Sequence, residues 1–283
     1  MSVHLSWVDS HCHLDAPEFA NTLTQIIDAA EKKDVKAILI PTVRAKDADA
    51  VRDIASRFAK NIPGLVYALG IHPLFIHEAQ ESDVDILRQH IQASLSDSRF
   101  VGIGEIGLDY FVEGLDPKRQ EFFLNAQLDL AQEFGLPVVL HVRRSQDALL
   151  KALRHRKIPG GIAHAFNGSF QQAEQFIGLG FKLGFGGAAT YERALQIRRL
   201  LTELPLDSLV TETDSPDIPP AWLRDEGIAF NEPAFLPRIA KQLAGIRGVS
   251  DLEFASAVWR NAMQVLPRWS ALCANNPNLT LAP

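Results

Sequence analysis

Residues 116–143 read DPKRQEFFLNAQLDLAQEFGLPVVLHVR. This stretch holds one complete helix-to-strand unit. Asp116 is a side chain suited to cap a helix, and Pro117 fits the first turn, where its missing N–H costs nothing. Gly135 is a helix stop, because it accepts the left-handed backbone that ends many helices. The spacing predicts a helix over Pro117–Phe134. Pro137–Leu140 is then a continuous apolar run, too short for a helix. Runs without the alternation of a half-wet strand belong to parallel strands buried on both faces. His141 follows at once, so a polar residue sits where the strand ends.

The same unit recurs outward in both directions. Further apolar runs are Trp7-Val8, Ala37–Ile40, Leu65–Leu69, Phe100–Ile103, Gly161–Ala163, Phe181–Phe185 and Leu209–Thr211. Helical patterns fill the gaps at Phe19–Lys33, Asp47–Lys60, Asp83–Leu95, Ser145–Arg156, Ser169–Leu179 and Tyr191–Leu204. Eight strands alternating with helices predict an α/β fold of the (β/α)8 type. An open doubly wound sheet uses similar units and is the alternative. A Pro-rich loop, Ser215–Pro220, follows the last strand, then helical stretches near Pro233–Gly245 and Ser250–Pro267. The expectation is one barrel over residues 1–270 and a C-terminal tail over 271–283, poorly ordered from Ala274 on. No internal repeat, low-complexity tract or linker interrupts the pattern.

The chain has 283 residues, of which 47% are hydrophobic and 22% charged, as in an ordinary globular protein. Its two cysteines cannot build a disulfide framework. No apolar run is long enough to span a membrane, and the N-terminus lacks a secretory pattern, so a cytoplasmic location is expected. A net charge of −6 argues against coating duplex DNA, which rewards basic surfaces. It leaves room for a small phosphate-bearing substrate, because bound cations supply positive charge locally. No obligate protein partner is indicated.

The polar residues at the strand ends carry the chemistry, since barrel enzymes build their sites there. The first strand leads into His11-Cys12-His13, where residues two apart share a direction and Cys12 points elsewhere. Glu105 stands in an apolar, glycine-rich context, and a buried carboxylate must be paired or hold metal. His141 and His164 follow the fifth and sixth strands, and Asp214 the eighth, with Glu212 two residues earlier. Together these residues suggest a pocket for two divalent ions and metal-assisted hydrolysis, with Glu105 able to bridge both ions. Asp214 can bind one ion and accept a proton from the attacking water. Imidazole with carboxylate suits Zn or Mn better than Ca, and Mg is also considered. His72, in Gly70-Ile71-His72-Pro73, is either a substrate contact or a structural histidine of the turn. Arg143 is placed to clamp an anion bidentately, with Arg144 pointing away. The run Lys151–Lys157 reads as a solvated helix face, and His4, His77, His90 and His155 have no partner pattern.

The segments DSHCHLD, GIHP, GEIGLDY, HVRR, HAFNGS and ETDSP, in this order, resemble the TatD family of metal-dependent deoxyribonucleases, within the amidohydrolase superfamily. The resemblance runs from about Val8 to about Asn261. It implies a distorted barrel in which His11, His13, Glu105 and Asp214 hold one ion and Glu105, His141 and His164 the other. It places His72 and Arg143 along the pocket and Asn231-x-Pro233 as a structural element. Ala165 and Asn167 depart from many relatives, and GFGGAATYERA resembles a less characterised branch. The implied activity is hydrolysis of DNA ends, with 3′–5′ exonuclease character. Cleavage of another ester or amide, such as a D-aminoacyl-tRNA, is the alternative, and a binding protein on a retained barrel is a further one.

Overall fold

In the computed structural model, which describes residues 5–276 and Leu279, the helix Pro117–Phe134 is capped as its sequence demands. The Asp116 side chain accepts the Lys118 N–H, and Gly135 closes the helix in the left-handed conformation, φ 62°. Eight strands form one parallel sheet in sequence order. They are β1 Trp7–Asp9, β2 Val35–Pro41, β3 Gly64–Leu69, β4 Phe100–Asp109, β5 Val138–Arg143, β6 Gly161–Ala163, β7 Phe181–Phe185 and β8 Leu209–Thr211. Between and after them lie α1 Leu23–Lys32, α2 Ala48–Arg57, α3 Asp83–Ser94, α4 Pro117–Phe134, α5 Gln146–Arg154, α6 Phe170–Gly178, α7 Leu195–Glu203, α8 Ala221–Asp225, α9 Leu236–Arg247, α10 Asp251–Val265 and α11 Pro267–Ala274. The architecture is the expected (β/α)8 barrel.

The strands match their sequence pattern, with one consequential difference. β4 runs past Ile103 through Glu105 to Asp109, and its register against β5 shifts between Ile103 and Ile106. β5 likewise runs past Leu140 to Arg143, so Glu105 and His141 sit within strands, not beyond them. Glycines permit this. Gly107 has φ 154°, and a Cβ there would lie 2.1 Å from the carbonyl oxygen of His141. Gly107→Ala should push β5 away from β4 beside both residues, costing about 3 kcal/mol of stability, as read from the urea midpoint. An unchanged midpoint would show that the strands yield without cost.

The two ends of the sheet close without a regular ladder. Ser10 N–H donates to Thr211 O at 2.9 Å, Asp214 N–H to His11 O at 2.9 Å and His13 N–H to Ser215 O at 2.8 Å. The buried Asp9 carboxylate completes the seam, accepting from Thr213 N–H at 2.9 Å and Thr213 Oγ1 at 2.6 Å. At the opposite end of the barrel, the buried Trp269 of α11 donates its indole N–H to Gly64 O at 2.8 Å. The expected start of a tail at residue 271 falls inside this helix. Of the Ala274–Pro283 stretch, residues 277, 278 and 280–283 lie outside the described residues, as does His4. Among the described residues, no helix is long and apolar enough to cross a membrane.

Candidate metal centre

The side chains singled out in the sequence meet at the C-terminal mouth of the barrel. Glu105, 1% exposed, lies at their middle and faces two clusters, one with each oxygen. Its Oε2 lies 2.9 Å from His11 Nε2 and 3.3 Å from His13 Nε2. Its Oε1 lies 2.9 Å from His141 Nδ1, 2.9 Å from His164 Nε2 and 3.1 Å from His72 Nε2. Asp214 Oδ1 approaches the first cluster, 3.5 Å from His11 Nε2 and 3.6 Å from His13 Nε2. Asp214 reaches it from a left-handed backbone, φ 56°, three residues beyond β8. Cys12 is buried between His11 and His13 in sequence and its backbone N–H binds Leu39 O, away from the cluster.

The donor set fits divalent cations. Ring nitrogens converge on one another as well as on the carboxylates, with His11 and His13 Nε2 atoms 3.2 Å apart and His164 Nε2 3.3 Å from His141 Nδ1. Such nitrogens have few protons to share between them, whereas their lone pairs share a cation readily. Three groupings have ligand atoms within 4.8 Å of one another: His11–His13–Glu105, His11–His164–Asp214 and His72–Glu105–His141. All six expected ligands are thus brought together. His72 Nε2 lies 3.1 Å from both Glu105 Oε1 and His141 Nδ1, against 2.9 and 3.3 Å for His164 Nε2.

Hydrogen bonds decide what the ring nitrogens offer. His141 Nε2 lies 3.0 Å from Asp109 Oδ2, which fixes the proton there and leaves Nδ1 a lone pair toward Glu105. His72 Nδ1 instead accepts the Leu74 N–H at 3.1 Å, so the neutral ring carries its proton on Nε2 and presents a donor. Asp109 was not singled out in the sequence. Its signal was its place four residues after Glu105, legible only if β4 continues that far. It also accepts the N–H groups of Phe111 and Val112. Asp109→Asn should lower metal affinity about tenfold to a hundredfold, as loss of a carboxylate behind a ligand histidine does. Titration of the metal-free protein checks this, and an unchanged affinity would remove Asp109 from the centre.

The electrostatics show a cluster that attracts positive charge. Burial alone would raise Glu105, but His72, His164 and His11 hold it well below the usual carboxylate range. Burial opposes charge on His13, yet Glu105, Asp214 and Asp15 outweigh it and push its pKa up to about 9. His164 is driven to about 10 against burial by Glu105 and Asp214. Burial dominates at His11, well below the ordinary imidazole value, and at His72, lowered to about 4. Asp214 is raised by burial, with His164 and His13 opposing. A divalent cation meets the same demand for positive charge while the imidazoles stay neutral.

The centre opens into a cavity of about 1370 Å³, lined on one side by Leu74 and Phe75 and on another by Ala165, Asn167 and Ile197. Arg143 lines it, its guanidinium 4.0 Å above the Phe111 ring and 3.7 Å from Asp109 Oδ2. Arg144 lines it too, 4.5 Å from the same ring. The expectation that Arg144 points away rests on strand alternation, and its left-handed backbone, φ 55°, ends that alternation. Two supports stand behind the site: Asp9 at the seam, which escaped the sequence reading, and Asn231, which the resemblance marked as structural. The Asn231 amide donates to Thr213 O at 2.8 Å and Asp217 O at 3.1 Å and so holds the loop carrying Asp214.

The chain matches the TatD related DNase family model over residues 8–267. It is 35% identical over 256 residues to an uncharacterized metal-dependent hydrolase, YjjV, of Escherichia coli K12, covering 90% of this chain and 95% of that one. It is 31% identical over 245 residues to the 3′-5′ ssDNA/RNA exonuclease TatD of Erwinia billingiae, covering 85% and 91%. The crystal structure of the E. coli YjjV protein superposes with a TM-score of 0.84 at 34% identity, covering 92% and 98%. A Klebsiella pneumoniae 5-methylcytosine deaminase, 13% identical with a TM-score of 0.62, shares the fold alone. The family match contains every residue of the candidate centre, and the chain belongs to the TatD-related DNase family of metal-dependent hydrolases.

Proposed function

We propose that the protein removes nucleotides from the ends of single-stranded nucleic acid by hydrolysing phosphodiester bonds, with 3′–5′ polarity and two divalent cations. One observation carries this reading: the two oxygens of Glu105 face separate imidazole clusters. A carboxylate so placed would be shared between two cation sites. His11, His13 and Asp214 would complete one site with Glu105, and His141 and His164 the other. Zn, Mn and Mg suit nitrogen and carboxylate donors in different degrees, and the choice among them is left to the assay. Bound ions would supply a nucleophilic water at neutral pH and stabilise charge on the phosphoryl oxygens.

The chain's own groups do the rest. Asp214 takes the proton of the attacking water. A carboxylate 3.5 Å from His11 Nε2, at the edge of the first cluster, suits a base. His72, with its proton held on Nε2 by Leu74 and turned to Glu105 Oε1 at 3.1 Å, would line the substrate's place beside the centre. Arg143 anchors the phosphate from the cavity wall. An acidic protein can act this way, because a strand end needs few phosphate contacts. The relative named as a 3′-5′ ssDNA/RNA exonuclease supports the substrate and polarity. The two buried free cysteines agree with a cytoplasmic setting.

The test follows single-stranded DNA labelled at its 3′ or 5′ end, with Mg, Mn or Zn returned after chelation. Metal-dependent shortening from the 3′ end is expected. Shortening from the 5′ end would reverse the polarity. Metal-dependent ester or amide cleavage with no nucleotide released would overturn the nuclease reading.

A further inference from the structure

Three arginines line the cavity, and among the described residues only Arg44 makes side-chain hydrogen bonds. Arg44 lies over Phe75 at 5.3 Å, with its Nε 2.8 Å from Asp47 and its Nη1 3.4 Å from Glu78. Arg143 and Arg144 share the ring of Phe111, at 4.0 and 4.5 Å. The carboxylate nearest Arg143, Asp109 at 3.7 Å, is beyond hydrogen-bond reach and already holds His141 and two backbone N–H groups. Among the described residues, the Arg144 guanidinium has neither an ion pair nor a hydrogen bond.

This arrangement is costly by itself. Consecutive strand residues point to opposite faces, so two adjacent guanidiniums on one ring need a break in the backbone. Arg144 supplies it at φ 55°, a region that costs an ordinary residue about 1–2 kcal/mol. The pairing also brings two like charges to one ring. Phe111, 45% exposed, leaves a large apolar ring in water to hold them. The ring quadrupole offsets part of the repulsion. An anion on the Arg144 fork offsets more of it, since a guanidinium brings five N–H donors.

We infer that Arg144, seated on Phe111, forms a second anion subsite that takes the phosphodiester next to the one Arg143 anchors at the centre. The inference rests on the nuclease reading above. Arg143 neighbours Asp109 and through it His141, so it stands on the side of the metal centre. Arg144 follows it in sequence, lines the same cavity and has no such link to the centre. A strand entering the cavity places one phosphate at the centre and the adjoining one on Arg144. The site therefore favours oligonucleotides with two or more phosphodiesters over a substrate with one.

The test compares a thymidine trinucleotide with a thymidine dinucleotide, which has a single phosphodiester. Wild-type kcat/KM should favour the trinucleotide by about tenfold, the size of one charge-assisted contact. Arg144→Ala and Phe111→Ala should each erase most of that ratio, mainly through KM, and Arg144→Lys should keep part of it. Equal losses on both substrates would overturn the subsite. Binding of a fluorescein-labelled trinucleotide in EDTA decides the matter without catalysis. Arg144→Ala should reduce the slope of log affinity against log salt by about 0.7, one phosphate contact on a single strand. An unchanged slope would overturn the subsite. If the wild type cleaves neither oligonucleotide, the nuclease reading fails, and the salt slope still judges the arginine pair.

Discussion

Glutamine in place of Glu105 should lower kcat on a phosphodiester by about a thousandfold or more, equivalent to about 4 kcal/mol of barrier. Glutamine keeps the volume, so the barrel should fold and its circular dichroism should match the wild type. It removes the charge that His72, His164 and His11 face, and it replaces one oxygen with an NH2 group. Whichever cluster meets that NH2 loses its acceptor, because an amide nitrogen cannot bind a cation. Metal content should fall as activity falls. The measurement pairs kcat at saturating metal with elemental analysis of the same sample. Retention of more than about a tenth of the activity, roughly 1.4 kcal/mol, would sink the bridging role.

Asparagine in place of Asp214 should separate binding from chemistry. His11, His13 and Glu105 remain, so the first cluster should still take a cation, more weakly. The lost carboxylate is the group placed to accept a proton, and general-base removal costs about 100-fold to 10,000-fold in rate. The acid limb of the wild-type kcat profile belongs to a base that works only when deprotonated. It should flatten in the variant. A variant that binds metal and keeps full nuclease activity would show that Asp214 is a ligand alone.

Much of this centre was legible because its residues lie at strand ends. β6, β7 and β8 fall where their apolar runs place them, and His164 and Asp214 follow accordingly. The fourth strand was harder to read. Glycine at 102, 104 and 107 reads as the end of a strand, since glycine weakens one. In the barrel those glycines let β4 pass close to β5, and the strand continues to Asp109. The first helix shows a smaller error of the same kind. Phe19 belongs to a short 3-10 turn begun by Pro17, and α1 starts at Leu23. Asp9 was beyond reach, and Asn231 was marked as structural by resemblance without its partners. Their partners, Thr213 in one case and Thr213, Asp217 and Ile218 in the other, are set by topology and have no local period. Arg144 turned on a single backbone angle, which no side-chain pattern reports.

The seam between β1 and β8 joins positions as much as 204 residues apart, and the candidate centre straddles it. His11 and His13 stand on one side and Asp214 on the other. During synthesis the first two emerge early and the third only after most of the polypeptide has been made. No partial product brings them together, and a fragment that stops before the last strand lacks one wall of the site. The hydrolytic machinery is thus withheld until the circle is complete, which keeps a reactive centre from forming on an unfinished chain.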